Sequence, residues 1–202
     1  MNQNSKSLNR IQKLTLIALL TTIVAVLQLV AAPIRIGTFS VSLVLVPIVL
    51  GAALIGPWAG GWLGLVFGAA VLISGDAAGF MGMNLVGTVI TVLVKGTAAG
   101  LVSGLVYRLI EKKNRTAAIF TSAALCPIIN TAIFFCGCWL FFFDGLSSAA
   151  SDNGQNLLAY IIIVLIGGNF VFELILNLIL SPVILRLIDV GKKMLGQAPK
   201  ND

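Results

Sequence analysis

Six apolar stretches run along the chain, separated by short polar or glycine-rich segments. The first extends from Leu14 to Ala32 and follows a polar, basic start, MNQNSKSLNRIQK. It is too long for a signal-peptide core and lacks a cleavage site, so it reads as a retained span. A short loop from Pro33 to Ser40 leads to a second stretch, Val41 to Ile55, which Gly56-Pro57 turns back into a third, Trp58 to Ser74. Gly75 to Asn84 (GDAAGFMGMN) reads as a loop, followed by a fourth span from Leu85 to Ile110 that ends at EKKNR. A fifth runs from Thr116 to Phe143, a polar loop covers Asp144 to Asn156, and a sixth continues from Leu157 to Ile188. Crossing about 30 Å of hydrocarbon takes about 20 apolar residues per helix, so the pattern predicts an all-α membrane domain over 1–202, with approximate spans 14–32, 41–55, 58–74, 85–110, 116–143 and 157–188.

Composition agrees: 58% of the 202 residues are hydrophobic and 10% are charged, against roughly a quarter charged in soluble domains. Eleven of the thirteen Lys and Arg residues lie in the N-terminus (Lys6, Arg10, Lys13), the fourth-to-fifth connection (Arg108, Lys112, Lys113, Arg115) and the C-terminal region (Arg186, Lys192, Lys193, Lys200). Six spans put all three regions on one side, so both termini are expected to be cytoplasmic. The net charge of +6 then reflects topology, and no nucleic-acid partner is implied. Trp58, Trp62 and Tyr107 fall near the expected inner boundary and Trp139 and Tyr160 near the outer one, as an aromatic belt requires.

Histidine is absent, which removes His-based triads, HExxH zinc sites and imidazole-held haem or copper. Cys126, Cys136 and Cys138 do not have the spacing of zinc or redox pairs and read as core residues. No metal, cofactor or catalytic residue is expected.

Ionisable groups inside hydrocarbon cost several kcal/mol and mark candidate sites. Lys95 lies 13 residues from Arg108 and Glu173 lies 13 from Arg186. At about 1.5 Å per residue, both sit roughly 20 Å above the inner boundary. Gln28 and Asn130, each 15 residues from a basic anchor, reach a similar height. Asn169, Glu173 and Asn177 recur every four residues on one face, as Thr88, Thr91 and Lys95 share a face of the fourth span. A polar chamber reached from the outer loops follows, with Lys95, Glu173, Asn169, Asn130, Gln28, Thr91, Arg35 and Asn84 as candidate ligand contacts. Phe39, Phe80 and Phe141 to Phe143 lie close enough to the outer loops to cap a ligand, and apolar filling explains them equally well. The bland alternative is a buried Lys95–Glu173 ion pair with amides bonding across helices. Asp76, Asp144 and Asp152 read as solvated loop residues.

Gly60, Gly64 and Gly68 form a GxxxGxxxG row, and Ala18 with Thr22 and Thr21 with Ala25 form small-residue rows on the first span. Such rows let another helix approach closely, whether inside the chain or from a partner.

The first span LTLIALLTTIVAVLQ and the hairpin VSLVLVPIVLGAALIGPWAGGWLGLVFGAAVLI, joined at Gly-Pro, resemble the substrate-binding (S) components of energy-coupling factor (ECF) vitamin transporters, over nearly the whole chain. The resemblance implies a prokaryotic plasma-membrane protein that binds a small water-soluble vitamin and delivers it by tilting against a transmembrane coupling subunit driven by two cytoplasmic ATPases. That family docks through an AxxxA motif on the first helix; here the matching positions are Ala18 and Thr22, so one alanine is replaced. Ala25, Gly60, Gly64 and Gly68 complete the expected docking surface. Walker A is absent, so ATP hydrolysis falls to partners. Ligands of the family contact the outer halves of the fourth to sixth helices, where Lys95, Asn130, Asn169 and Glu173 fall. The VSLVLVPIVLGAALIGP stretch is most like pantothenate-type components, and a carboxylate suits Lys95, with Arg35 helping to attract it. Glu173 leaves a pyridoxine-like ligand open, and riboflavin, folate, thiamine and cobalamin remain further options. Two other classes stand beside this reading: a stand-alone secondary transporter using Lys95 and Glu173 for ion coupling, and a membrane enzyme with either residue as acid or base.

Overall fold

The computed structural model describes residues 10–32, 35–36, 39–40 and 43–194, with side chains for all of these except 35–36, 39–40, 164–166 and 192–194. Lys6 and Lys200 and the side chains of Arg35, Phe39, Lys192 and Lys193 therefore lie outside the described residues.

The described chain is almost wholly helical. Helix α1 (Arg10–Ala31) leads to a two-residue ribbon, β1 (Arg35–Ile36) against β2 (Phe39–Ser40), antiparallel with Arg35 opposite Ser40. Next come α2 (Leu45–Leu54), α3 (Pro57–Ile73), the short α4 (Ala78–Met83), α5 (Leu85–Glu111) and α6 (Arg115–Phe141). The chain continues through α7 (Phe143–Asp152) and α8 (Leu157–Ala159), whose axis passes through a π-helical stretch, Tyr160–Gly167, into α9 (Gly168–Met194).

Among the described residues four helical segments are long and apolar enough to cross a membrane: Arg10–Ala31, Leu85–Glu111, Arg115–Phe141 and Leu157–Gly191. Helix α2, with 10 residues, is only about 15 Å long, and α3, with 17, about 26 Å, both short of the hydrocarbon thickness. The burial pattern departs from a soluble protein's. Gln28, Thr88, Thr91, Ser103, Ser122, Asn130, Glu173, Asn177 and Ser181 are buried, whereas leucines, isoleucines and valines of α1, α5 and α9 are exposed. Apolar surface turned outward with polar groups inside is what a hydrocarbon solvent selects.

Local chemistry sets the helix ends. Asn84, Asn114 and Asn156 each accept the backbone N–H three residues on, capping α5, α6 and α8. Gly56 has φ +138°, closed to side-chain-bearing residues, and it hands the chain to Pro57 at the first turn of α3; this is the Gly-Pro turn expected from sequence.

The scaffold centres on the α3–α5 crossing. The α3 glycine row meets a second row on α5: Gly60 lies against Gly100, Gly64 against Gly96 and Gly68 against Val92 and Leu93, so the two backbones touch with no side chain between them. Helix α6 packs along α5 as well, and α9 packs against α6 and α2. The main apolar cluster fills the space between α1, α2, α3, α5, α6 and α9, with Leu20, Ile48, Leu63, Ile119 and Ile184 fully buried.

Several local expectations change. The polar segment from Asp144 forms helix α7, because Leu146 and Ala150 fall on one face and bury together, with Asp144 in the first turn. The Gly75–Asn84 loop contains α4. Tyr107 is fully buried and is not part of an outward aromatic belt, whereas Trp58, Trp62 and Trp139 are exposed. Cys126 and Cys138 are buried, but Cys136 is exposed.

Candidate functional site

Helix α9 supplies one wall. Asn169 Nδ2 donates to Glu173 Oε1 at 3.3 Å, Asn177 Nδ2 donates to the Glu173 carbonyl at 2.8 Å, and Ser181 donates to the Asn177 carbonyl at 2.8 Å. The first two bonds fix both amides, since only nitrogen can donate to a carboxylate or a carbonyl oxygen. Asn169 Oδ1 and Asn177 Oδ1 are therefore true acceptors. Both are buried without a donor, and so is Glu173 Oε2. Glu173 is 3% exposed and Asn177 0%.

Helices α5 and α6 supply the facing wall. The Lys95 ammonium lies 5.1 Å from the centroid of Phe134, a cation–π contact. Cys126, Asn130, Phe134 and Cys138 stand four residues apart on α6 and so share one face. Cys126 and Cys138, at its two ends, are buried. Asn130 stands midway along that face, and its Oδ1 is buried without a donor. Thr91, one turn from Lys95, is pressed onto Gly137 of α6 and also has an unpartnered buried hydroxyl.

The upper boundary is aromatic. Phe80 of α4 packs edge-on against Phe134 at 5.3 Å and tilted against Phe142 at 5.1 Å, beside a cluster of Cys138, Phe142, Leu146 and Ile161. Sequence reasoning missed Asp76. Gln28, buried on α1, donates to Asp76 Oδ2 at 3.5 Å. A residue read as solvated thus belongs to the site's edge. The glycine-rich sequence around it gave no periodicity from which its inward placement follows.

The candidate residues therefore separate. Lys95, Glu173, Asn169, Asn130, Thr91 and Gln28, with Asp76 and Phe134 added, come from α1, the α3–α4 turn, α5, α6 and α9. Asn84 is engaged in its helix cap, also donating to the Phe141 carbonyl at 3.4 Å. The side chain of Arg35 is outside the described residues.

Of the small-residue surfaces, Gly60, Gly64 and Gly68 are buried against α5, which occupies the close approach that they permit. Ala18 and Thr22 face outward on α1, and Ala25 is half-buried. Thr22 Oγ1 donates to the Ala18 carbonyl at 3.1 Å, so the row presents little unsatisfied polarity to a neighbouring helix.

Chemically, the walls present unmet acceptors and the Lys95 ammonium. Native interiors rarely leave buried acceptors unmet. Such a set is suited to holding a polar molecule rich in donors.

No curated protein and no solved structure matches the chain at a significant level. The family model for the ECF transporter substrate-specific component matches residues 12–185, most of the chain. A transport component rather than an enzyme is what that match and the outward-facing apolar helices together describe, and the chain belongs to the ECF transporter substrate-specific component family as a multi-pass membrane protein.

Proposed function

We propose that the protein is the vitamin-binding subunit of an ECF importer and that its ligand is pantothenate. The observation that carries this reading is the set of buried acceptors without donors, Thr91 Oγ1, Asn130 Oδ1, Asn169 Oδ1, Glu173 Oε2 and Asn177 Oδ1, in the same polar interior as Lys95. Pantothenate brings one carboxylate for the ammonium and three donors, two hydroxyls and an amide N–H, for the acceptors. Its polar groups replace water lost by the buried oxygens, which is how a bundle interior gains affinity for a polar ligand.

In this reading four helical segments cross the membrane in full, the shorter α2 and α3 complete the six-segment bundle, both termini are cytoplasmic, and the site opens outward beneath Phe80. The row Ala18, Thr22 and Ala25 on α1, outward at Ala18 and Thr22, is the surface offered to a transmembrane coupling subunit, which two cytoplasmic ATPases drive. Whole-subunit tilting then carries the vitamin inward. The docking surface is narrower than the sequence suggested, because the α3 glycines already have a partner in α5.

Binding of labelled pantothenate, pyridoxine, riboflavin, folate, thiamine and cobalamin to detergent-purified protein tests the proposal. Saturable binding of pantothenate alone is expected. Preference for pyridoxine would shift the assignment to a ligand that uses Glu173, and ATP-independent transport by the isolated protein would favour ion coupling by Lys95 and Glu173.

A further inference from the structure

We propose that Phe134 is the positioning residue for Lys95, whose ring face holds the ammonium ready for a ligand carboxylate and so sets how far an acid is preferred over its neutral analogue. The inference rests on the vitamin-binding reading given above.

Packing on both sides fixes the contact. Thr91 of α5, one turn before Lys95, is pressed onto Gly137 of α6, which follows Phe134 by one turn and leaves no room there for a Cβ. A small residue at that point lets the two helices approach closely, next to the Lys95–Phe134 pair. The ammonium lies 5.1 Å from the ring centroid, inside the range of about 6 Å over which a ring quadrupole attracts a cation. The ring is held in turn. Phe80 meets it at 5.3 Å with the planes 86° apart, and Phe80 packs at 5.1 Å against Phe142, which is buried. An unbroken series of ring contacts thus runs from Phe142 through Phe80 and Phe134 to the ammonium.

A ring is a useful partner for an ammonium that must still bind an anion. It attracts the charge without supplying a hydrogen-bond acceptor, so the N–H donors stay available to a carboxylate. Glu173 does not take them: its Oε1 accepts from Asn169, and Oε2 has no donor. A lysine otherwise loses rotamer freedom when a ligand orders it, which weakens binding. Held on the Phe134 face, Lys95 is ordered before the ligand arrives. A neutral alcohol draws little on the ammonium, so the gain falls on the acid. Phe80 acts through Phe134 and supports its position.

The test measures binding of pantothenate and of its neutral alcohol, panthenol, to the full-length wild type, Phe134→Leu, Phe134→Met and Phe134→Tyr. Leucine and methionine keep apolar bulk without a π face, and tyrosine keeps the face. Phe134→Leu is expected to lower the acid-to-alcohol affinity ratio by about fivefold, the order of a partly desolvated cation–π contact, whereas Phe134→Tyr stays within about twofold of the wild type. Methionine fills irregular gaps, so Phe134→Met must show the same fall if the leucine variant does not fold. A merely structural role would weaken both ligands alike. An unchanged or raised ratio in the variants without a ring, with the wild type binding pantothenate, would overturn this inference and leave the vitamin-binding reading intact. Failure of the wild type to bind either ligand would overturn both.

Discussion

A methyl group added at Gly64 tests the frame on which the site is built. A Cβ there would fall on the carbonyl oxygen of Gly96 and 2.5 Å from its carbonyl carbon. Both obstacles are backbone, so no rotamer change relieves them, and α3 must move away from α5. Overpacking of a rigid core costs about 1–3 kcal/mol. Relief by helix separation also forfeits van der Waals contact along the whole Gly60–Gly68 row, so the upper part of that range is expected. Lys95 precedes Gly96 on α5, so the displacement also shifts the ammonium, and vitamin affinity should fall although Gly64 touches no ligand. Gly79→Ala is the control, because a Cβ there meets nothing within 4 Å. Thermal unfolding in detergent, followed by size-exclusion recovery, should place Gly64→Ala several degrees below both wild type and Gly79→Ala. The reasoning is refuted if Gly64→Ala matches Gly79→Ala in unfolding temperature and binds vitamin as the wild type does.

Three further outcomes are expected. Lys95→Ala should weaken pantothenate by about 1.5–3 kcal/mol and panthenol much less, and equal losses measured by calorimetry would remove Lys95 from the carboxylate contact. Asn84→Ala should cost about 1 kcal/mol of stability through the lost cap on Gly87 N–H, Asn84→Asp should restore most of it, and an affinity loss exceeding the stability loss would instead make Asn84 a ligand contact. Thr22→Leu, outward on α1, should leave vitamin binding by the isolated subunit unchanged but abolish co-purification with the coupling subunit; retained assembly would place docking elsewhere.

The helices were largely legible because their causes are local. Long apolar runs, asparagine caps and the Gly-Pro turn each act within a few residues, and α1, α3, α5 and α6 begin and end close to the stretches read from sequence. Segments whose structure depends on distant neighbours were less legible. Helix α7 forms on only two buried apolar residues, Leu146 and Ala150, a signal too short to stand out from a polar loop. Tyr107 carries the composition of an interfacial residue, but packing between helices takes it inside. The same distinction divides the site. Spacing of four on α9 and on α5 put Glu173 and Lys95 on definite faces, whereas Asp76 enters through a turn whose direction is set by the φ of Gly75 and the reach of Gln28.

The α5 glycines show how a partner surface can be misassigned from a correct pattern. Gly60, Gly64 and Gly68 announce that some helix comes close, and a small-residue row carries no information about which one. The complementary row, Gly96, Gly100 and Gly104, stands in the same sequence at the same spacing of four. Two matching rows joined by a short connection favour an internal antiparallel crossing, because intramolecular approach avoids the entropy lost on association. The rows on α1 have no such counterpart opposite Ala18 and Thr22, which remain outward among the described residues. That difference separates the scaffold from the proposed docking face. The α3–α5 crossing fixes Lys95 at the site, and α1, buried at Gln28 and exposed at Thr22, joins the site to the surface through which the proposed coupling subunit would act.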